Sequence, residues 1–163
     1  MKEAYFAGGC FWCISYTFEN LKGVKDVISG FSGGDEINPS YEDVKKQKTM
    51  HRETIKIVYD ENDCSYEKLL KIFLTNVDPF DNEGQFIDKG RSYTLAIYYN
   101  DEYEYNLSKQ YIDKLKEESK REVYISLEKY KNFYEAEEFH QHYALKNKEA
   151  FEEELIQSGR KKS

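Results

Sequence analysis

The stretch Gly8-Gly9-Cys10-Phe11-Trp12-Cys13 holds the residue types that are best suited to chemistry. Cys10 lies between a predicted strand and a predicted helix. A thiol at a helix N-terminus meets free backbone N–H groups and the helix dipole, which lower its pKa and favour the thiolate. Gly8 and Gly9 permit a tight turn and the close approach of a substrate. We therefore expect Cys10 to be a reactive nucleophile.

The spacing Cys10-x-x-Cys13 leaves other uses open, since it also fits a thioredoxin-like dithiol or half of a zinc site. Zinc would need a second pair of ligands, whereas the third cysteine, Cys64, stands alone. His140 and His142 lie two residues apart on a predicted helix and would face different directions. We expect no metal site, and the odd number of cysteines argues against a structural disulfide framework.

The elements that position this stretch follow from hydrophobic periodicity. Residues 3–8 predict a strand, and apolar residues at helical spacing predict a helix from Cys10 to Lys22. Ser40 and Ser65 are predicted caps of two further helices, the second continuing through Leu69–Leu74. Further strands are predicted at Val24–Phe31, Glu53–Tyr59 and Tyr93–Tyr99. The order β-α-β-β-α-β predicts an α+β fold with a ferredoxin-like plait as its core, an antiparallel sheet with two helices on one face.

The carboxyl-terminal third extends this core. An amphipathic helix is predicted from about Glu102 to Lys120, an added strand at Val123–Leu127, and mostly helix over Glu135–Leu155. The basic tail Gln157–Ser163 is expected to be frayed. We predict one catalytic domain over residues 1–163, with a core of about 3–145 and a C-terminal helix and tail over 146–163.

Composition excludes some classes of protein. The 163 residues include 31 acidic and 24 basic side chains, for a net charge of −7. An acidic surface disfavours nucleic-acid binding, which needs a basic face. No apolar run approaches the ~20 residues of a membrane helix, and the first residues do not have the pattern of a signal peptide. We expect a cytoplasmic protein that binds neither nucleic acid nor membranes.

The motifs taken together resemble those of the A-type peptide methionine-S-sulfoxide reductase family. The resemblance begins at Gly9-Cys10-Phe11-Trp12, keeps the order of the family's motifs and covers about residues 4–145. The further matching blocks are Leu21-Lys22-Gly23-Val24, Gly30-Phe31-Ser32-Gly33-Gly34, Asn38-Pro39-Ser40-Tyr41-Glu42-Asp43-Val44, His51-Arg52-Glu53, Val58-Tyr59-Asp60, Asp78-Pro79, Asp88-Lys89-Gly90, Tyr93 and Phe133-Tyr134-x-Ala136-Glu137-x-x-His140-Gln141.

The resemblance implies an enzyme that reduces the S-epimer of methionine sulfoxide, free or in oxidised proteins, to methionine. Cys10 matches the nucleophile that attacks the sulfoxide sulfur and is left as a sulfenic acid. Glu53 matches the acid, which burial is expected to keep protonated near neutral pH. Tyr41 and Tyr93 match two phenols that hydrogen-bond the sulfoxide oxygen, and Asp88 matches a carboxylate that organises the site.

Phe11 and Trp12 match the aromatic walls around the substrate's S-methyl group. The chain departs from the family's pattern at Met50-His51-Arg52-Glu53, where a long cation precedes the predicted acid. Because neighbouring residues of a strand face opposite sides, we expect Arg52 to point away from Glu53.

The residues 146–163 hold no cysteine, although many relatives keep resolving cysteines there. Cys13 and Cys64 remain possible resolving cysteines. The sequence favours a cycle in which an external thiol, from glutathione with glutaredoxin or from thioredoxin, reduces Cys10 directly, with no bound cofactor. Some relatives are thought to carry selenocysteine at the position of Cys10. Two other hypotheses stay open: a general dithiol oxidoreductase that uses Cys10 and Cys13, and a module that binds oxidised methionine without turnover.

Overall fold

The computed structural model describes residues 1–157, which form a six-stranded mixed sheet with helices. The strand order is β7-β6-β1-β3-β2-β8, and every neighbouring pair is antiparallel except the parallel pair β6 and β7. The strands are β1 Lys2–Gly8, β2 Val24–Ser32, β3 Arg52–Tyr59, β4 Gly84–Gln85, β5 Asp88–Lys89, β6 Leu95–Tyr99, β7 Ile125–Lys129 and β8 Tyr134–Glu135. The helices are α1 Phe11–Glu19, α2 Tyr41–Lys45, α3 Tyr66–Thr75, α4 Glu102–Ser119, α5 Tyr143–Lys146 and α6 Lys148–Gln157, with 3-10 turns at Arg91–Tyr93 and Glu138–His140. The predicted α+β class is confirmed.

The two predicted helix caps are present. Ser40 accepts a hydrogen bond from the backbone N–H of Asp43, and Ser65 accepts one from the backbone N–H of Lys68, at 3.1 Å each. Each cap satisfies one of the N–H groups that a helix leaves free in its first turn. Local sequence therefore sets where α2 and α3 begin.

The core lies between one face of the sheet and the helices α1, α3 and α4. Alternation along β3 sends Ile55, Ile57 and Tyr59 into this core, where all three are buried. Glu53 has the same parity and faces the same side, toward the start of α1. Arg52 has the opposite parity and faces the other side of the sheet. The strand thus brings a carboxyl group under the N-terminus of α1.

The predicted mostly helical segment Glu135–Leu155 is wrong in its first half. Tyr134–Glu135 is a short strand that pairs with β2, and the chain continues through a 3-10 turn before α5. The side chain of Gln141 explains this course, because it bonds the backbone N–H and C=O of Ser29 at 2.8 and 2.9 Å and so ties the segment to the edge of the sheet. His142 then adopts a left-handed φ of 54°, which interrupts any continuous helix.

Other predicted boundaries shift by a few residues. Helix α1 ends at Glu19 rather than at Lys22, and β6 begins at Leu95 because Arg91–Tyr93 forms a 3-10 turn. The added strand lies at Ile125–Lys129. Residues 158–163, most of the tail predicted to be frayed, lie outside the described residues.

Within residues 1–157, no helix is both long enough and apolar enough to cross a membrane.

Candidate active site

Cys10 lies between β1 and α1, where its carbonyl accepts the backbone N–H groups of Cys13 and Ile14, both at 3.2 Å. Its side chain is buried, with 8% of the residue exposed. The expectation of a lowered pKa is wrong for this arrangement. A hydrogen bond with the Cys13 thiol, burial, and repulsion from Cys13 and Glu53 raise the pKa of Cys10 well above its ordinary value. These effects outweigh the backbone N–H of Cys13, which acts in the opposite direction.

Glu53 is almost fully buried, with 2% of the residue exposed. The backbone N–H of Phe11 donates to its Oε1 at 3.1 Å, while Oε2 has no hydrogen-bond partner among the described residues. Burial raises the pKa of Glu53 to about 8, and the nearby Asp88 and Cys13 add to the rise. Glu53 is therefore mostly protonated at pH 7, and Oε2, which makes no hydrogen bond among the described residues, can carry the proton. The carboxyl group can act as an acid.

Tyr93, Tyr41 and Asp88 come from three different segments and meet at this site. Tyr93 is buried at the end of a 3-10 turn, and its pKa is raised by burial and then by Glu53, Tyr41, Asp88 and Cys10. Each of these groups is therefore close enough to Tyr93 to act on its charge. Tyr93 stays a phenol, able to donate a hydrogen bond, over the whole physiological pH range.

The aromatic residues after Cys10 are less open than the sequence suggested. Phe11 is fully buried, with its ring centroid 5.7 Å from that of Phe31 and 6.1 Å from that of Tyr41. Trp12 is partly buried and is covered by Tyr143, with ring centroids 4.1 Å apart and planes tilted by 14°. Phe11 is therefore enclosed by other rings in this structure, and Trp12 is the more exposed of the two predicted wall residues.

Residues of the C-terminal segment complete the site, and sequence reasoning missed most of them. Ala144 of α5 and Phe151 of α6 form one apolar cluster with Cys10 and Cys13. Only His140 had a sequence signal, since it belongs to a matching motif. No sequence signal pointed to Tyr143, Ala144 or Phe151, because the local sequence does not show which residues a C-terminal helix covers.

The three cysteines are free thiols, and the structure separates their positions clearly. Cys13 contacts Cys10, whereas Cys64 packs beside Gly23, just past the other end of α1. The nine residues of α1 span about 13 Å at 1.5 Å per residue. A disulfide needs Cα atoms within about 7 Å, so only Cys13 is placed to bond with Cys10.

Arg52 faces away from Glu53, as expected, and forms its own buried network. Its Nη1 lies 2.6 Å from Oε2 of Glu128 and 3.1 Å from the hydroxyl of Tyr98, and its Nε donates to Thr94 at 2.9 Å. The cation is thereby neutralised on the far side of the sheet. Among residues 1–157, no three His, Cys, Asp or Glu side chains are grouped to hold a metal ion.

An α+β domain that buries a cysteine beside a protonated carboxyl group and a phenol is the scaffold of a cysteine-dependent oxidoreductase. The family model described as peptide methionine sulfoxide reductase matches residues 2–163. The chain belongs to the peptide methionine sulfoxide reductase family. The predicted family and the predicted sulfoxide-reducing enzyme are both confirmed.

Individual relatives agree. The chain is 41% identical over 162 residues to peptide methionine sulfoxide reductase MsrA 2 of Staphylococcus aureus strain Mu50, covering 98% of this chain and 92% of the relative. Among solved structures, methionine sulfoxide reductase A of Corynebacterium diphtheriae superposes with a TM-score of 0.81 and 26% identity, covering 90% of this chain and 75% of that one. Mxr1 from Saccharomyces cerevisiae in complex with Trx2 shares the fold, with a TM-score of 0.58 and 17% identity over 88% and 84% of the two chains.

Proposed function

We propose that this chain reduces methionine S-sulfoxide, free or in oxidised proteins, with Cys10 as the nucleophile and Glu53 as the acid. The observation that carries the proposal is the meeting of the Cys10 thiol with a buried carboxyl group whose pKa is raised to about 8. The sulfoxide sulfur is only weakly electrophilic, and its oxygen leaves only when protonated. The thiol supplies the nucleophile that attacks the sulfur, and the neutral carboxyl group beside it supplies the proton for the oxygen.

The protons and atoms balance within the site. Glu53 donates its proton to the sulfoxide oxygen as Cys10 attacks the sulfoxide sulfur, and the proton of Cys10 passes to Glu53. The attack joins Sγ of Cys10 to the substrate sulfur. The hydroxyl then moves from the substrate sulfur to Sγ as this S–S bond breaks and its electron pair stays on the substrate sulfur, so that Cys10 becomes a sulfenic acid and methionine is released. Since burial keeps Glu53 protonated and the pKa of Cys10 is raised by its contact with Cys13, by burial and by Glu53, the neutral pair is the resting form, and deprotonation of Cys10 belongs to the reaction rather than to the free enzyme.

The remaining site residues orient the substrate. Tyr93 and Tyr41 hydrogen-bond the sulfoxide oxygen, and repulsion from Asp88 adds to the burial that keeps Glu53 protonated. Trp12, backed by Phe11, contacts the S-methyl group and excludes water. This arrangement of side chains selects the S-epimer. In the R-epimer the positions of methyl and oxygen are exchanged, which would put the oxygen against the indole.

We infer that Cys13 resolves the sulfenic acid. Its thiol attacks the sulfur of oxidised Cys10, releases water and forms a Cys10–Cys13 disulfide, which an external thiol then reduces. The contact between the two thiols supports this route over direct reduction of Cys10, which the sequence favoured. Thioredoxin is the preferred reductant, in line with the yeast protein of the same fold that is bound to Trx2; glutathione with glutaredoxin is the alternative. No bound prosthetic cofactor takes part.

One experiment tests these roles together. The reduced chain is given one turnover on methionine S-sulfoxide without reductant, and peptide mass spectrometry then locates the oxidised sulfur. We expect one methionine per chain and a Cys10–Cys13 disulfide. Cys10→Ser should yield no methionine, whereas the matched control Cys64→Ser should yield as much as the unchanged chain. Methionine formation by Cys10→Ser would overturn the role of Cys10, and a persistent sulfenic acid would restore direct reduction.

We also propose that the core β1-α1-β2-β3-α3-β6 is a ferredoxin-like plait. The antiparallel order β6-β1-β3-β2 supports this assignment, with α1 and α3 packed on one face. Residues 1–163 would then form a single catalytic domain. The three free thiols fit the reducing conditions of a cytoplasmic location.

A further inference from the structure

The pairing of the central strand β1 stops short of Glu53 and Tyr93. Glu53 is carried by β3 and Tyr93 by the 3-10 turn that leads into β6, and β1 lies between these two strands. The pairing of β1 with β3 ends at Ile55, and its pairing with β6 ends at Leu95. Beyond these last pairs the chain turns into α1, and a gap separates β3 from β6. The ladder of β1 therefore does not fix the distance between the carboxyl group and the phenol.

Arg52 bridges this gap from the opposite face of the sheet. Its Nε donates a hydrogen bond of 2.9 Å to the hydroxyl of Thr94. That hydroxyl in turn donates a bond of 2.7 Å to the carbonyl of Arg91, the first residue of the 3-10 turn that ends at Tyr93. One hydrogen-bonded path thus leads from the residue beside Glu53 to the turn that carries Tyr93.

Further bonds hold the guanidinium group of Arg52 in one orientation. Its Nη1 lies 2.6 Å from Oε2 of Glu128 on β7 and donates to the hydroxyl of Tyr98 on β6 at 3.1 Å. Only 4% of the Arg52 side chain is exposed, and its planar fork presents donors in fixed directions. A buried ion pair adds little to stability compared with apolar side chains of similar volume. The directed hydrogen bonds, among them the bond to Thr94, are therefore the distinctive contribution of this arginine.

We propose that Arg52 is a positioning residue, which acts through Thr94 to set the distance between Glu53 and Tyr93. The inference rests on the proposed role of these two residues, which must reach the same sulfoxide oxygen when the acid gives up its proton. A misplacement of about 1 Å in such a site can cost about 10²-fold in rate. Because its side chain lies on the far face of the sheet, Arg52 acts on the reaction only through the residues that it holds.

The first test removes the hydroxyl group of Thr94. Thr94→Val deletes both of its bonds and keeps its shape, whereas Thr94→Ser keeps the hydroxyl. Thr54→Val is the matched control, since Thr54 is buried on the same face of the sheet as Arg52 but its hydroxyl bonds the Arg52 carbonyl within its own strand. We expect the single-turnover rate of methionine formation to fall about tenfold in Thr94→Val, part of the loss that a shift of about 1 Å causes. The rates of Thr94→Ser and Thr54→Val should stay close to that of the unchanged chain, and equal rates in Thr94→Val and Thr54→Val would overturn the inference.

The second test changes the arginine itself. Arg52→Lys keeps a cation opposite Glu128 but loses the planar fork that reaches Glu128 and Thr94 together. This variant should be about as slow as Thr94→Val, and the double variant should be no slower than either one, because both changes break the same bond. Losses that multiply in the double variant would show that the two residues act separately and would contradict the link.

The pH dependence of the rate separates positioning from stability. Thr94→Val changes no charge, so a changed pKa of Glu53 in this variant reports changed surroundings of the carboxyl group. If the strand and the turn move apart, water reaches the carboxyl group and its pKa falls from about 8 toward its ordinary value. The loss of rate at alkaline pH should then begin at a lower pH in Thr94→Val than in the unchanged chain. A lower free energy of unfolding in urea together with an unshifted pH profile would overturn the inference and leave Arg52 a purely structural role.

Glu53→Gln distinguishes a failure of the inference from a failure of the proposed function. If Glu53 is not the acid, Glu53→Gln alone forms methionine as fast as the unchanged chain. If Glu53 is the acid and Arg52 positions it, adding Thr94→Val to Glu53→Gln should cost clearly less than the loss of about tenfold expected in the unchanged chain. The same further loss in both backgrounds would overturn the inference while the acid role stands.

Discussion

The indole Nε1 of Trp12 donates a hydrogen bond of 3.2 Å to Nδ1 of His140, a residue 128 positions further along the chain. His140 is buried, with 1% of the residue exposed, and burial lowers its pKa. The imidazole is therefore neutral at pH 7, with Nδ1 free of a proton and its Nε2 facing Glu137 at 3.6 Å. The proposed aromatic wall of the substrate site is thus held in place by the C-terminal segment.

Removing this hydrogen bond should loosen the wall. His140→Phe keeps the ring packing but leaves the indole N–H without its acceptor, which costs about 1–3 kcal/mol. We expect KM for methionine sulfoxide to rise with a smaller change in kcat, and the fluorescence of Trp12, the only tryptophan, to change its maximum. His140→Gln, which restores an acceptor oxygen, should recover part of both properties. An unchanged spectrum and KM in His140→Phe would show that the bond does not position Trp12.

The reductive step should depend on the protonated form of Glu53. Since the pKa of Glu53 is raised to about 8, its proton is present at pH 7 and is lost as the pH rises through about 8. We expect the single-turnover rate of methionine formation to fall as the pH rises through about 8. The rate should be lower by about 10²–10⁴-fold in Glu53→Gln, the usual effect of losing a general acid. The rate of this variant should also not fall as the pH rises through about 8. A Glu53→Gln rate equal to that of the unchanged chain would exclude the acid role.

The same raised pKa should make Glu53 a source of instability at neutral and alkaline pH. A group whose pKa is higher in the folded state than in the unfolded state favours folding below the unfolded value, and that advantage is lost as the pH rises through the folded value. For Glu53 the window runs from its ordinary value of 4.5 to about 8. Glu53→Gln should therefore gain in free energy of unfolding relative to the unchanged chain across this window, by a few kcal/mol at its upper end. Urea titrations at pH 5 and pH 8.5 measure the difference, and a constant difference would contradict the burial argument.

Phe151 should control access to Cys10. Phe151→Ala removes a buried ring from the cluster around Cys10 and should destabilise the chain by about 3–5 kcal/mol if α6 stays packed, or by less if α6 detaches. In either case Cys10 becomes more exposed, and iodoacetamide should alkylate it faster. Cys64 is the internal control, because it is buried beside Gly23 in the main core and does not belong to the cluster that Phe151 joins. An equal increase at Cys10 and Cys64 would indicate general unfolding instead of local uncovering.

Several features of the site were predictable because they depend on residues close together in the chain. The caps at Ser40 and Ser65 and the alternation that places Glu53 and Arg52 on opposite faces of β3 are all local properties. The position of Cys10 at the start of a helix follows from the glycines and the apolar spacing around it. The end of α1 and the course of residues 134–142 were not predictable in this way. Gln141 holds that segment on Ser29, more than a hundred residues away.

The sequence by itself determined the family, the α+β class and the residues Cys10, Glu53, Tyr41, Tyr93 and Asp88 as candidates, because these follow from motifs and short-range periodicity. Only the tertiary structure decided their protonation and access. A pKa depends on burial and on neighbouring charges, so the raised pKa values of Cys10 and Glu53 appear only when the sheet and α1 enclose them. Which cysteine lies close enough to bond with Cys10 depends likewise on a distance in space, which the spacing of three cysteines along the chain does not contain.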